Sequence, residues 1–280
     1  MKSGLLPMMM PERFAPSLPA ALAVATNPAA HKLMQIGDLA VERRPYALAD
    51  GVAIIGVQGA LIDKLGWWGS SYVTGYDGLR WQLAAAHEDA DVRGIVLDVD
   101  SYGGMVAGCF DLCDFALAAK QASGKPVAAI LSEEAYSAGY AVASTADTIA
   151  VPRTGGVGSI GVVSMHIDIS GALERWGEKI TLLKAGAHKT DGNHYEPLPD
   201  DVRARVETEL EDLRQLFAAT VVRNRAGASK PPSLEAVLAT EARTYGGPAQ
   251  LAEALSLGLA DAILSPAEAF AAFAAHVNAA

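Results

Sequence analysis

The chain has 280 residues, 51% of them apolar, and a formal net charge of −10. This length and apolar content are enough for a large buried core, in one large domain or two small ones. The acidic balance argues against a nucleic-acid-binding protein, because no basic stripe is available to meet phosphates.

Residues 1–45 are predicted to be a flexible N-terminal extension or docking arm. Prolines and charges interrupt its early apolar run before a signal-peptide core could form. No stretch of about 18 apolar residues is free of both charge and proline, so no membrane span is predicted. Cys109 and Cys113 lie on one face of a predicted helix, where buried free thiols are expected. These features fit a protein of a reducing cytoplasm that is not secreted.

Between residues 46 and 265, apolar runs alternate with stretches of helical spacing, and this region is predicted to be one domain. Continuous apolar strands separated by helices indicate an α/β fold with largely parallel sheets. Residues 266–280 are predicted to be a short C-terminal helical tail. The predicted strands are 52–57, 94–99, 126–131, 148–151 and 180–184. The predicted helices are one from Tyr76 to Ala86 and those at 106–121, 138–146 and 200–225. Residues 59–75 are predicted to form a loop, and residues 100–104 a turn.

Ser137 stands where a predicted strand meets a predicted helix of small residues. A serine at such a turn can present its hydroxyl to a cleft, and the N–H groups of a helix N-terminus can stabilise an anion. A nucleophile with an oxyanion hole needs this geometry. The alternative is a helix N-cap, which is the commoner role of a serine at this position.

Three other segments bear on Ser137. Gly103 and Gly104 follow a buried strand, where glycines allow close backbone approach to an oxyanion or a substrate strand, or simply a turn. Lys189 is a candidate general base, a role that a lysine takes only in an apolar, closed cleft; otherwise it is a solvated surface group. Ser159 could orient the lysine amine, or be a polar turn residue.

Five sequence motifs support a resemblance to a known family. They are Ser101-Tyr-Gly-Gly104, Tyr136-Ser-Ala-Gly139, Gly155-Gly-Val-Gly-Ser-Ile-Gly-Val162, Lys184-Ala-Gly-Ala-His-Lys189, and Ala242-Arg-Thr-Tyr-Gly-Gly247 with Gly258-Leu-Ala-Asp261. In this order they make residues 52–263 resemble the signal peptide peptidase A (protease IV) family of serine peptidases, which has the Clp protease/crotonase-like fold. The sequences of 151–161 and 185–193 are most similar to the head-maturation (minor capsid protein C type) proteases of tailed bacteriophages and prophages.

The resemblance implies a Ser–Lys dyad, with Ser137 as the nucleophile and Lys189 as its general base. It also implies that the N–H groups of Gly104 and Ala138 form the oxyanion hole, with Gly103 in the same loop. Ser159 would support the lysine. Tyr102 stands where the family usually has proline. Because proline fixes φ and lacks an N–H, the substrate-side edge of this loop is expected to differ.

His166 is an alternative base, since it lies broadly where Clp-type proteases place a catalytic histidine. Lys189 is favoured because it stands in the family's lysine motif and because a strand at 180–184 could carry it toward the sheet edge. The histidines show no metal-ligand spacing, so neither a metal nor another cofactor is predicted.

The predicted function is therefore that of a serine endopeptidase that cleaves scaffold or capsid proteins during phage head maturation, in the host cytoplasm or the prohead. A homo-oligomer with contacts to portal or capsid proteins is expected. The alternatives are a cellular signal peptide peptidase-like protease, a crotonase-like acyl-CoA enzyme with Glu133 and Glu134 as the candidate acids, and an inactive structural subunit of a phage head.

Overall fold

The structure is a computed structural model that describes residues 8–9, 44–66, 70 and 72–279. Most of the predicted N-terminal extension, and Trp67 and Trp68 of the predicted loop, lie outside the described residues. The strands are β1 Met8–Met9, β2 Ala47–Ala49, β3 Val52–Ile62, β4 Val73–Gly75, β5 Gly94–Met105, β6 Val127–Tyr136, β7 Thr148–Val151, β8 Gly156–Gly158, β9 Thr244–Gly246 and β10 Ala262–Ile263. The helices are α1 Tyr76–Glu88, α2 Cys109–Ser123, α3 Ala138–Ala143, α4 Ser170–Trp176, α5 Asp200–Asn224, α6 Leu234–Leu238, α7 Pro248–Ser256 and α8 Pro266–Ala279.

The described strands form one sheet with the central order β10-β7-β6-β5-β3-β2. Strands β10, β7, β6, β5 and β3 are parallel to their neighbours along this path, whereas β2 joins β3 antiparallel. Parallel neighbours need crossover connections, which the helices between the strands supply. The predicted α/β class with a largely parallel sheet is confirmed.

Apolar layers cover both faces of this sheet. Helices α1, α2 and α3, with the last turns of α5, share one buried cluster with inward side chains of β3, β5 and β6. Helix α8, the predicted C-terminal tail, covers part of the opposite face. Its buried contacts join Ala269, Ala274 and Val277 to Val52, Val96, Ala128 and Ile130.

Three elements differ from the sequence-based expectations. Strand β5 continues through residues 100–104, which were predicted to form a turn, and β3 continues to Ile62 and pairs with β4 inside the predicted loop. The strand predicted at 180–184 is wrong, because these residues form neither strand nor helix. Its apolar side chains find no sheet edge within one chain, and Leu183 is 93% exposed.

His87 couples the stability of this fold to pH. Its ring is buried, with Nδ1 2.7 Å from Ser123 Oγ, and Nε2 has no hydrogen-bond partner among the described residues. Burial, followed by the charges of Lys125 and Lys120, lowers the pKa of His87 to about 4. The unfolded chain binds this proton near pH 6.5, so stability is lost as the pH falls from about 6.5 toward 4.

We therefore expect the urea midpoint of the wild-type protein to fall between about pH 7 and about pH 5, and to fall less in His87→Gln. Unfolding followed by circular dichroism at the two pH values checks this difference. Equal falls in the two proteins would contradict the role of His87.

Candidate active site

Strand β6 ends at Tyr136, and the single residue Ser137 joins it to α3. Ser137 has a φ of 52° and a ψ of −123°, a backbone conformation that costs about 1–3 kcal/mol in a residue other than glycine. Its side chain is fully buried, and Oγ has no hydrogen-bond partner among the described residues. Ser137 occupies the N-cap position of α3, but its hydroxyl makes no capping hydrogen bond. A strained, buried serine with an unsatisfied hydroxyl is typical of a functional position.

Backbone hydrogen bonds hold Ser137 in this conformation. Its N–H donates to Gly158 O at 2.9 Å, and its carbonyl accepts from Ala141 N–H at 2.9 Å. Gly158 ends β8, which pairs with β6 on one side and with β9 on the other. The next residue, Ser159, is buried with a φ of 55° and donates its N–H to Arg243 O at 3.0 Å. Backbone hydrogen bonds therefore hold the glycine-rich segment in place beside Ser137.

The N-terminal end of α3 lies directly against β5. A Cβ atom added to Gly139 would lie 2.7 Å from Ser101 O, so only glycine allows this approach. Because the first intrahelical bond runs from Ala141 to Ser137, the N–H of Ala138 has no acceptor within the helix. The structure thus brings Ser137, Ala138 and the strand that carries Gly103 and Gly104 to one junction.

The two glycines of β5 have different surroundings. Gly103 has a φ of 113°, and its N–H donates to Ser101 Oγ at 3.1 Å. Gly104 pairs with Leu61 of β3 on one side and, antiparallel, with Met9 of β1 on the other. The pairing of β6 with β5 ends before Gly104, and at Gly104 the strand beside β5 is β1.

Lys189 makes no hydrogen bond to Ser137 Oγ in the described part of one chain. It is exposed on residues 162–199, here called the outer segment, whereas Ser137 Oγ is buried and unpartnered. Asp191 of the outer segment forms an ion pair with Arg205, near the start of α5. The other end of α5 contacts α3 through Asn224, whose Nδ2 donates to Ser144 Oγ at 2.8 Å.

Arg205 and Asn224 lie about 28 Å apart along the axis of α5, at 1.5 Å per residue. The ion pair of Asp191 therefore lies at the end of α5 remote from α3. His166 belongs to the same segment, where its Nε2 lies 2.7 Å from Asn193 O and its ring stacks on His194. Neither candidate base is brought to Ser137 by the fold of a single chain.

The carboxylates considered for acyl-CoA chemistry do not reach Ser137 Oγ either. Glu133 accepts a hydrogen bond from Thr154 at 3.3 Å. Across residues 44–66, 70 and 72–279, no group of three or more histidine, cysteine, aspartate or glutamate side chains is arranged to hold a metal ion. In the same part of the chain, no helix is both long enough and apolar enough to cross a bilayer.

Sequence reasoning did not foresee two structural contributions to this junction. Ser101 was noted only as part of a motif, yet its hydroxyl accepts a hydrogen bond from the N–H of Gly103, the residue before Gly104. The carbonyl of Arg243 holds Ser159, and the preceding residues Glu241 and Ala242 both have positive φ values, of 48° and 56°. The motif that begins at Ala242 was the available signal, since two consecutive residues in this conformation need a strong tertiary constraint.

Comparison with known proteins identifies the family. Residues 119–280, more than half of the chain, match the model of peptidase family S49. The chain belongs to peptidase family S49. The resemblance drawn from the five motifs is thereby confirmed at the level of the family.

The S49 chain is similar to two phage proteins. It is 39% identical over 229 residues to capsid assembly protease C of Escherichia phage lambda, an alignment that covers 81% of this chain and 50% of that protein. It is 36% identical over 236 residues to head-tail preconnector protein GP5 of Enterobacteria phage P21, covering 84% of this chain and 45% of that protein. The chain therefore spans about half the length of these curated relatives.

Among solved structures, an enoyl-CoA hydratase/isomerase family member aligns with a TM-score of 0.41 and 16% identity. This alignment covers 83% of the S49 chain and 74% of that chain.

Proposed function

We propose that this S49 chain is a serine endopeptidase in which Ser137 is the nucleophile and Lys189 the general base. The observation that carries the proposal is Ser137 itself: a buried, unpartnered hydroxyl on a strained backbone at the start of α3. Strained backbone conformations of this kind cluster at functional sites, and holding a nucleophile in position is one function that they serve.

The proposed reaction uses these two side chains. Lys189 removes the Ser137 proton while Oγ attacks a peptide carbonyl, and the N–H groups of Gly104 and Ala138 stabilise the resulting oxyanion. The lysine then gives the proton to the leaving amine, and water hydrolyses the acyl-enzyme. Ser159 supports the lysine once it is docked.

The lysine reaches Ser137 from a second copy of the chain. The outer segment exposes the large apolar side chains of Leu183 (93%), Trp176 (71%) and Met165 (53%), which the other described residues leave uncovered. Contact with another copy would bury this surface together with the Lys189 amine. Desolvation disfavours a charged amine, which is the condition for a lysine base. The proposed enzyme is therefore a homo-oligomer with sites between copies.

The proposed substrate is an extended polypeptide. The pairing of Met8 and Met9 with Met105 and Gly104 supports this, since it places an antiparallel segment beside β5 where β6 has ended. Such strand addition is a common mode of peptide binding. One phage relative is called a capsid assembly protease and the other a head-tail preconnector protein, which favours substrates among the proteins of head assembly. The proposed substrates are scaffold or capsid proteins, within the prohead or the host cytoplasm, and the proposed further contacts are with portal or capsid proteins.

The test is co-expression of the full chain with the scaffold and major capsid proteins encoded nearest to it. We expect a fluorophosphonate probe to label the wild-type chain, and mass spectrometry to find new N-termini in a co-expressed protein. Ser137→Ala should lose both signals, because no other hydroxyl occupies the strained position. Ser132→Ala, which changes an exposed serine of β6, is the matched control and should keep both. Cleavage that persists in Ser137→Ala would contradict the proposal.

A further inference from the structure

We infer that Ser101 is a positioning residue for the oxyanion hole, an inference that rests on the proposed peptidase function. Ser101 lies in β5 and is 1% exposed. Its Oγ donates to Gly59 O at 2.7 Å and accepts from Gly103 N–H at 3.1 Å. The Ser101 hydroxyl therefore uses its proton for a backbone group of β3 and one lone pair for a backbone group of β5.

These two hydrogen bonds stand where the regular strand pairing is interrupted. The register between β3 and β5 shifts at Gly59, and the register between β5 and β6 shifts just before Ser101. Gly59 and Gly103 have positive φ values, of 64° and 113°. A bulge leaves backbone groups outside the ladder, and buried groups of this kind need other partners. The Ser101 hydroxyl supplies them and fixes the path of β5 into Gly104.

Ser101 also touches the nucleophile helix. A Cβ atom on Gly139 would lie 2.7 Å from Ser101 O, 2.9 Å from Ser101 Cβ and 3.1 Å from Ser101 Oγ. Gly139 directly follows Ala138, which carries one proposed oxyanion donor, and Gly104 carries the other. One buried residue thus lies close to both backbone segments that carry the proposed oxyanion donors.

The bond from Gly103 to Ser101 also bears on which glycine serves the oxyanion. The Gly103 N–H is engaged by Ser101 Oγ, which agrees with the proposed donor role of Gly104. Oxyanion donors must lie at fixed distances from the position where charge develops. A displacement of about 1 Å lowers the rate about 100-fold, so the spacing that Ser101 sets between Gly104 and Ala138 controls turnover.

The test compares Ser101→Ala with Ser144→Ala. Ser144 is also fully buried and makes two side-chain hydrogen bonds, to Ala141 O and from Asn224, but it lies at the opposite end of α3. Both substitutions should lower the melting temperature. Only Ser101→Ala should lower kcat for a peptide substrate, by about 100-fold with KM changed less than about threefold, because the hole acts on the transition state. A peptide aldehyde, whose hemiacetal oxyanion occupies the hole, should bind Ser101→Ala about 100-fold more weakly.

Ser101→Cys keeps the shape of the side chain with a weaker hydrogen-bonding group, and its kcat should lie between those of wild type and Ser101→Ala. If Ser101→Ala does not fold, the kcat of Ser101→Cys decides: a fall of about tenfold supports the inference, and an unchanged value overturns it. Equal kcat losses in Ser101→Ala and Ser144→Ala also overturn it. Activity that persists in Ser137→Ala overturns the proposed function instead, whereas an inactive Ser137→Ala beside a fully active Ser101→Ala overturns only the role of Ser101.

Discussion

Oligomers that mix Ser137→Ala copies with Lys189→Ala copies are expected to be active, although each variant alone is inactive. Lys189→Ala copies retain the serine, and Ser137→Ala copies retain the lysine. A site that takes one group from each of two copies is therefore complete at some interfaces. Random head-to-tail association completes about one interface in four, so about a quarter of wild-type activity should return. Each variant alone should lose at least about 10³-fold in kcat.

Co-expression of the two variants with different tags, followed by tandem purification, yields the mixed oligomers, and turnover of a fluorogenic peptide measures their activity. Lys184→Ala is the matched control, because Lys184 is an exposed lysine of the same motif and should be dispensable. Mixed oligomers that stay inactive would show that serine and lysine come from the same chain. A loss in Lys184→Ala equal to that in Lys189→Ala would remove the reason for assigning the base to Lys189.

Asp261→Ala is expected to destabilise the fold by about 3–5 kcal/mol, because it leaves the buried Arg225 guanidinium without its counter-charge. The Arg225 side chain is 0% exposed, and its Nη2 donates to both Asp261 carboxylate oxygens at 2.8 Å. Asp261 also accepts from Ile149 N–H at 2.7 Å, so the pair joins the end of α5 to β7. For a chain of this size the melting temperature should fall by roughly 10 °C.

Differential scanning calorimetry of Asp261→Ala and Asp114→Ala checks this prediction. Asp114 pairs with Arg223, two residues before Arg225 in the chain, but both side chains are largely exposed, at 60% and 47%. Exposed pairs contribute about 0–1 kcal/mol, so Asp114→Ala should melt within about 3 °C of wild type. Similar melting temperatures for the two variants would mean that the buried pair is no stronger than a surface pair.

The regular elements around Ser137 followed from local patterns. The apolar run before it and the small residues after it predicted β6 and α3, and both are present. The run at 180–184 shows the limit of the same reasoning. Its pattern fits a strand, but a strand forms only where a neighbour offers free backbone groups, and residues 180–184 pair with no described strand.

The sequence by itself determined the α/β class, the position of Ser137 at a strand-to-helix junction and the motifs that indicated the family, because these depend on residues close together in the chain. Only the tertiary structure decided that Ser137 Oγ has no hydrogen-bond partner among the described residues, that the Ser101 hydroxyl joins backbone groups of Gly59 and Gly103, and that Lys189 is exposed on the outer segment. Each of these facts is a contact, or a missing contact, between groups from separate elements. Local spacing does not encode such contacts, since they depend on how the strands slip in register and how closely the helices approach the sheet.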